Sequence, residues 1–92
     1  MNIKQIKYFV SVANRGSLSS AAREHGISVQ AVSKSMADLE FEFGENLFDR
    51  SHQGIELTPL GEAFLEKAAE VDSSFRELEL ISESCDENPS NS

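Results

Sequence analysis

The chain is short of cysteine, of basic side chains and of long apolar runs, and each shortage removes a class of protein. Cys85 is the one cysteine in 92 residues, so neither an internal disulfide nor a multi-cysteine zinc site can form. His25 and His52 are too isolated to suggest a metal site, and no metal or cofactor is expected. No run approaches the roughly 20 apolar residues that a membrane span needs, and the N-terminus lacks a signal-peptide block. The expected location is therefore the cytoplasm. Ser/His/Asp, Cys/His and paired-carboxylate sets are missing, as is a glycine-rich phosphate loop, so no enzyme is expected. Ser28, Ser33 and Ser35, near His25, are better explained as cap and contact residues.

The shortage of basic residues is uneven. Eight lysines and arginines face 16 acids, for a net charge of −8. Residues 1–58 hold six bases against seven acids, and residues 59–92 hold two against nine. Phosphates favour basic partners, so the acidity argues against nucleic acid in the C-terminal third and only weakly elsewhere. The length suffices for one domain with a modest core, and no internal repeat is present.

What is present is a succession of helical patterns with punctuation. Ile3, Ile6, Phe9, Val10 and Ala13 make one helical face that Gly16 stops. Ser17 or Ser19 can cap a second helix ending at Gly26. Ser28 can cap a third, with Val32, Met36, Leu39 and Phe43 as its buried stripe and Gly44 as its end. "NLFDRSHQGIELT" then switches to short apolar pairs around a turn, and it reads as a hairpin with Leu47 and Phe48 on one arm and Ile55 and Leu57 on the other. Thr58-Pro59 is a favoured helix start. The helix it opens is expected to continue to about Ser84. The end, "CDENPSNS", has no apolar periodicity and is expected to be disordered. The expected organisation is thus a reading unit over 1–58, a linker or dimerisation helix over 59–84 and an acidic tail over 85–92.

Two surfaces stand out. Ala22, Gly26 and Val32, supported by Ala21 and Ile27, supply the small residue, the left-handed turn and the apolar anchor of a helix-turn-helix. The third helix then turns Val29, Gln30, Ser33, Lys34 and Ala37 outward. Short polar groups suit a helix entering a major groove: Gln can pair with adenine, and Ser or Lys can reach base edges or phosphates. The bland reading, a face that is merely solvated, would be preferred for an isolated helix; the order of hinge, helix, hairpin and long helix favours contact. On the long helix, Phe64, Ala68, Val71, Phe75 and Leu78 step by four and three, the rhythm of a helix-pairing seam. Phe64 could equally pack on the first helix.

The motifs "IKQIKYFVSVANRGSLSSAA", "ISVQAVSKSMADLEFEFGENLFDR" and "GIELTPLGEAFL", in that order over about residues 1–80, resemble the N-terminal domain of LysR-type bacterial transcriptional regulators. The resemblance implies a mainly α winged helix-turn-helix: three helices, a two-stranded wing and a long dimerisation helix. It further implies duplex DNA as partner, contacted by Ser28, Val29, Gln30, Ser33 and Lys34 of the third helix and by Arg50 at the base of the wing. A homodimer through the long helix is implied as well. Where the family has Gln followed by Pro or Ser, this chain has Val29 and Gln30, and Val29 offers a thymine methyl an apolar contact. The family continues into an effector-binding domain, so no small-molecule effector site is expected within these residues. The competing expectation is an interaction module that pairs with full-length relatives and antagonises them with little DNA binding of its own.

Overall fold

The computed structural model describes the backbone of residues 1–50 and 54–86, with side chains as far as Glu83. It contains α1 (Ile3–Arg15), α2 (Leu18–His25), α3 (Val29–Phe43), β1 (Phe48–Asp49), β2 (Glu56–Leu57) and α4 (Pro59–Asp86). This is the mainly α, winged helix-turn-helix architecture expected from the sequence.

Local chemistry sets the helix boundaries. Asn2 opens α1 with a reciprocal box: the Gln5 N–H donates to Asn2 Oδ1 (2.9 Å) and the Asn2 N–H donates to Gln5 Oε1 (3.0 Å). Of the two candidate caps for α2, Ser17 is the one used, its Oγ accepting from the Ser20 N–H. Ser28 Oγ accepts from the Ala31 N–H and caps α3. Thr58 does more than cap α4. Its hydroxyl oxygen accepts from the Gly61 N–H (3.0 Å) while its proton goes to the Asn46 carbonyl (2.8 Å), so the helix start is tied to the segment leading into β1. These bonds satisfy N–H groups that a helix start leaves without partners. Between α2 and α3, Gly26 adopts φ +66, and the Ile27 N–H reaches back to the Ala22 carbonyl at 3.0 Å. That closure turns the chain within three residues.

Helix α1 is the centre of the molecule, packed against α2, α3 and α4. Its buried surface is accordingly wider than one stripe: Val12 and Ser11 are buried alongside the expected Phe9 and Val10. Phe9, Val12, Val32, Met36, Leu39 and Leu47 are fully buried. Phe9 meets Phe48 of the wing at 5.2 Å between ring centroids and Phe64 of α4 at 4.7 Å. Phe43, expected in the buried stripe of α3, is instead exposed at the helix end, with one edge on Phe64 at 5.1 Å. Leu39 is the last fully buried residue of α3. The wing is antiparallel, with Phe48 opposite Leu57 and Asp49 opposite Glu56. Its tip, including His52, lies outside the described residues.

Helix α4 runs two residues beyond Ser84, through Cys85 and Asp86, because no glycine or proline interrupts it before Pro89. The remainder of the expected tail, 87–92, lies outside the described residues. At about 1.5 Å per residue, 28 helical residues span roughly 42 Å, which accounts for most of the 55 Å long axis.

Candidate nucleic-acid interface and helix-pairing surface

The amphipathic division of α3 builds the first surface. Val32, Met36 and Leu39 point into the core, which turns Gln30, Lys34, Ala37 and Phe41 to the opposite side at spacings of four, three and four. All four are exposed. Val29, in the first turn, is exposed beside them, whereas Ser33 lies at the edge of the row and is half-buried. Gln30 makes no side-chain hydrogen bond among the described residues, so its amide is available to a base edge. Ser28 is already committed as the cap of α3, though its hydroxyl proton is not used there.

The two cations of this surface are each matched by an acid. Lys34 Nζ lies 3.2 Å from Asp38 one turn along α3, and Arg50 Nη2 lies 3.8 Å from Glu40 Oε1. The Lys34–Asp38 pair is open to solvent, where such pairs contribute little; in the other pair Glu40 is largely buried while Arg50 is half exposed, so its guanidinium stays within reach of a phosphate. Arg50 follows directly on β1, at the base of the wing, on the strand that leaves α3. Phe41 is the residue that the sequence reading missed. It is 89% exposed, and its signal was its position in the same row, eleven residues beyond Gln30.

The second surface lies on α4, and here the structure divides the expected seam. Ala68 is 2% exposed and belongs to the core, and Phe64 is half-buried between Phe9 and Phe43. Neither is a free pairing residue. Helix α1 lies along α4 from Phe64 to Glu79, and the domain therefore reaches further than helix length alone suggests. Lys7 bridges the two helices: its Nζ sits 3.5 Å from Asp72, 3.4 Å from Glu79 and 4.9 Å above the ring of Phe75. Asp72 is buried, and Arg76 holds its other oxygen at 3.3 Å. A buried carboxylate needs such partners. Val71 and Leu78 remain 43% and 61% exposed and line a shallow apolar groove with Phe75, Glu70 and Ser74. Leu80 and Ile81 are exposed further along.

Where α1 meets α2, Glu24 accepts a hydrogen bond from Ser11 Oγ and another from Arg15 Nε at 2.8 Å. The Ser11 hydrogen bond first, then Arg15, hold its carboxyl below the ordinary value. His25, half-buried, packs edge-on to Tyr8 at 4.9 Å. No group of His, Cys, Asp and Glu among the described residues could hold a metal ion. No helix among the described residues is long and apolar enough to cross a membrane.

A helix-turn-helix with its second helix turned outward, a two-stranded wing beside it and a long helix leading away define a winged helix-turn-helix of the regulatory type. Residues 3–62 match the family model of bacterial regulatory helix-turn-helix proteins of the lysR family, and the chain belongs to that family. It is 42% identical over 71 residues to the HTH-type transcriptional regulator TcbR of a Pseudomonas species, an overlap covering 77% of this chain and 24% of TcbR. It spans about a quarter of the length of the curated relatives it matches first. Among solved structures, the CbnR DBD in complex with DNA is 42% identical with a TM-score of 0.71, covering 94% of this chain and 92% of that one. The BenM DBD on the catB site 1 DNA is 25% identical with a TM-score of 0.84, covering 96% and 99%.

Proposed function

We propose that this chain is the DNA-reading part of a LysR-type transcriptional regulator, working in the cytoplasm on duplex promoter DNA as a homodimer. The observation that carries the reading is the open face of α3: Val29, Gln30 and Lys34 stand clear of the domain, on the helix that the fold uses for recognition. In this reading the first turns of α3 enter the major groove. Gln30 reads a base through its amide, with Val29 placed for a thymine methyl and Ser28 and Ser33 flanking it. Lys34 exchanges its acid for a phosphate, and Arg50 reaches a phosphate from its place beside Glu40. Residues 1–58 form the reading unit. The first half of α4 is fused to its core, and Val71, Phe75 and Leu78 form the pairing face.

The relatives support this. CbnR and BenM, which share the fold over nearly the whole of the chain, are bound to DNA in their structures. An exposed apolar row on a projecting helix is a partner surface, and a second copy of α4 is its simplest complement. The other reading, an interaction module that antagonises relatives without reading DNA, has no observation of its own in its favour.

The test is selection from a random duplex pool followed by a mobility-shift titration. The expected result is a two-half-site sequence bound far more tightly than unselected DNA, with the chain binding as a dimer. A pool that yields no enriched site, or equal affinity for selected and unselected duplexes, would overturn the proposal.

A further inference from the structure

We infer that Glu40 is a positioning residue for the wing's DNA contact: its carboxylate locks the wing onto α3 and thereby places Arg50. The inference rests on the proposed function for its DNA half. Glu40 lies on the flank of α3, with a side chain only 12% exposed. One carboxylate oxygen, Oε2, accepts both the Leu47 N–H (2.8 Å) and the Phe48 N–H (3.2 Å). The other, Oε1, faces Arg50 at 3.8 Å.

Glu40 holds this position because of how short the wing is. Each strand has two residues, far too few for a hairpin to hold its own geometry. The wing's angle to α3 must therefore come from its attachments to the body. At the C-terminal end that attachment is Thr58, whose N–H donates to the Leu47 carbonyl at 3.0 Å. At the N-terminal end it is Glu40, which satisfies the amides of Leu47 and Phe48, two residues buried by their side chains. Arg50 stands two residues beyond Phe48, so fixing those amides fixes the root of its side chain. The pair with Oε1 then limits the directions its guanidinium takes. A reading unit whose cations are few gains from having each one placed before DNA arrives, because less freedom is lost on binding.

The experiment compares Glu40→Ala and Glu40→Gln, each with and without Arg50→Ala. It reads amide hydrogen exchange at Leu47 and Phe48 and the salt dependence of binding to a selected duplex. In the otherwise unaltered chain, Arg50→Ala is expected to lower the salt slope by about one contact. In Glu40→Ala, the two amides are expected to exchange about tenfold faster or more, and Arg50→Ala is expected to change the slope no further. Glu40→Gln keeps a carbonyl oxygen for both amides, so exchange should stay slow and most of the Arg50 contribution should return. A purely structural glutamate would weaken the fold yet leave the Arg50 contribution intact, and an equal Arg50→Ala effect in both backgrounds would overturn the inference. So would unchanged exchange in Glu40→Ala or, if that variant does not fold, fast exchange in a folded Glu40→Gln. An unaltered chain that selects no DNA overturns the Arg50 half together with the proposed function. Amide exchange, measured without DNA, separately decides whether Glu40 holds the wing.

Discussion

Replacing Gly61 by alanine tests whether the wing and α4 are joined as tightly as the geometry shows. Gly61 lies in the first turn of α4 with ordinary helical torsions, so alanine is conformationally allowed and should help an isolated helix by about 1 kcal/mol. The surroundings forbid it. A β-carbon there would lie 2.1 Å from the Leu47 carbonyl oxygen, and 3.1 Å from both its carbonyl carbon and Leu57 Cδ2. Ordinary contact needs more than a further 1 Å from that oxygen, and the obstacle is backbone, not a side chain that can swing away. Leu47 is held on both sides, by Glu40 at its N–H and by the Thr58 N–H at its carbonyl. Overpacking of this kind costs about 1–3 kcal/mol or more, and displacing the Thr58–Leu47 hydrogen bond adds about 1 kcal/mol. After the helical gain is set against these costs, Gly61→Ala should be about 1–3 kcal/mol less stable. For a domain of this size that lowers Tm by about 4–8 °C per kcal/mol. Thermal and urea unfolding at one fixed protein concentration would measure it, concentration mattering because the proposed dimerisation would raise apparent stability. A Gly61→Ala protein as stable as the unaltered chain, or more so, would refute the close approach of α4 to the wing.

Other outcomes follow from the same surfaces. Gln30→Ala should cost about 1–3 kcal/mol at a single base pair of the selected site and relax preference there, which competition with singly altered duplexes would detect. Lys34→Ala should weaken all sequences alike and flatten the salt slope by about one contact; a sequence-dependent loss would show that it reads a base instead. Val71→Asp combined with Leu78→Asp should give a monomer with much weaker binding to a two-half-site duplex, checked by sedimentation. A dimer that survives both changes would place the pairing surface elsewhere. Because the folded-state pKa of Glu24 is depressed, its contribution to stability is present above the unfolded value, about 4.3. It is lost as pH falls through the lower folded value. Glu24→Gln should therefore flatten the acid side of the stability–pH profile, and an unchanged profile below pH of about 4 would count against the Ser11–Glu24–Arg15 arrangement.

The sequence alone determined the features that depend on neighbours within a few residues. Ser17, Ser28 and Thr58 cap helices, and Gly16, Gly26 and Gly44 end them, because a cap bond or a left-handed turn is made within one turn of chain. The outward row of α3 was legible for the same reason: once Val32, Met36 and Leu39 face inward, a 3.6-residue period sends Gln30 and Lys34 outward. Tertiary structure alone decided which member of a regular pattern meets which surface. The seam on α4 repeats evenly from Phe64 to Leu78. Only the path of α1 along it, held by Lys7 to Asp72 and Glu79 across more than sixty residues of sequence, buries Ala68 and leaves Val71 and Leu78 in solvent. Phe43 shows the reverse: its spacing was right for the core, but it meets Phe64 there and stays exposed on its other side. Glu40 could have been an ordinary surface acid until the fold brought the Leu47 and Phe48 amides to its carboxylate. A helical period fixes the direction of a side chain from its own helix axis. What stands in that direction is set by long-range packing, which a local pattern does not encode.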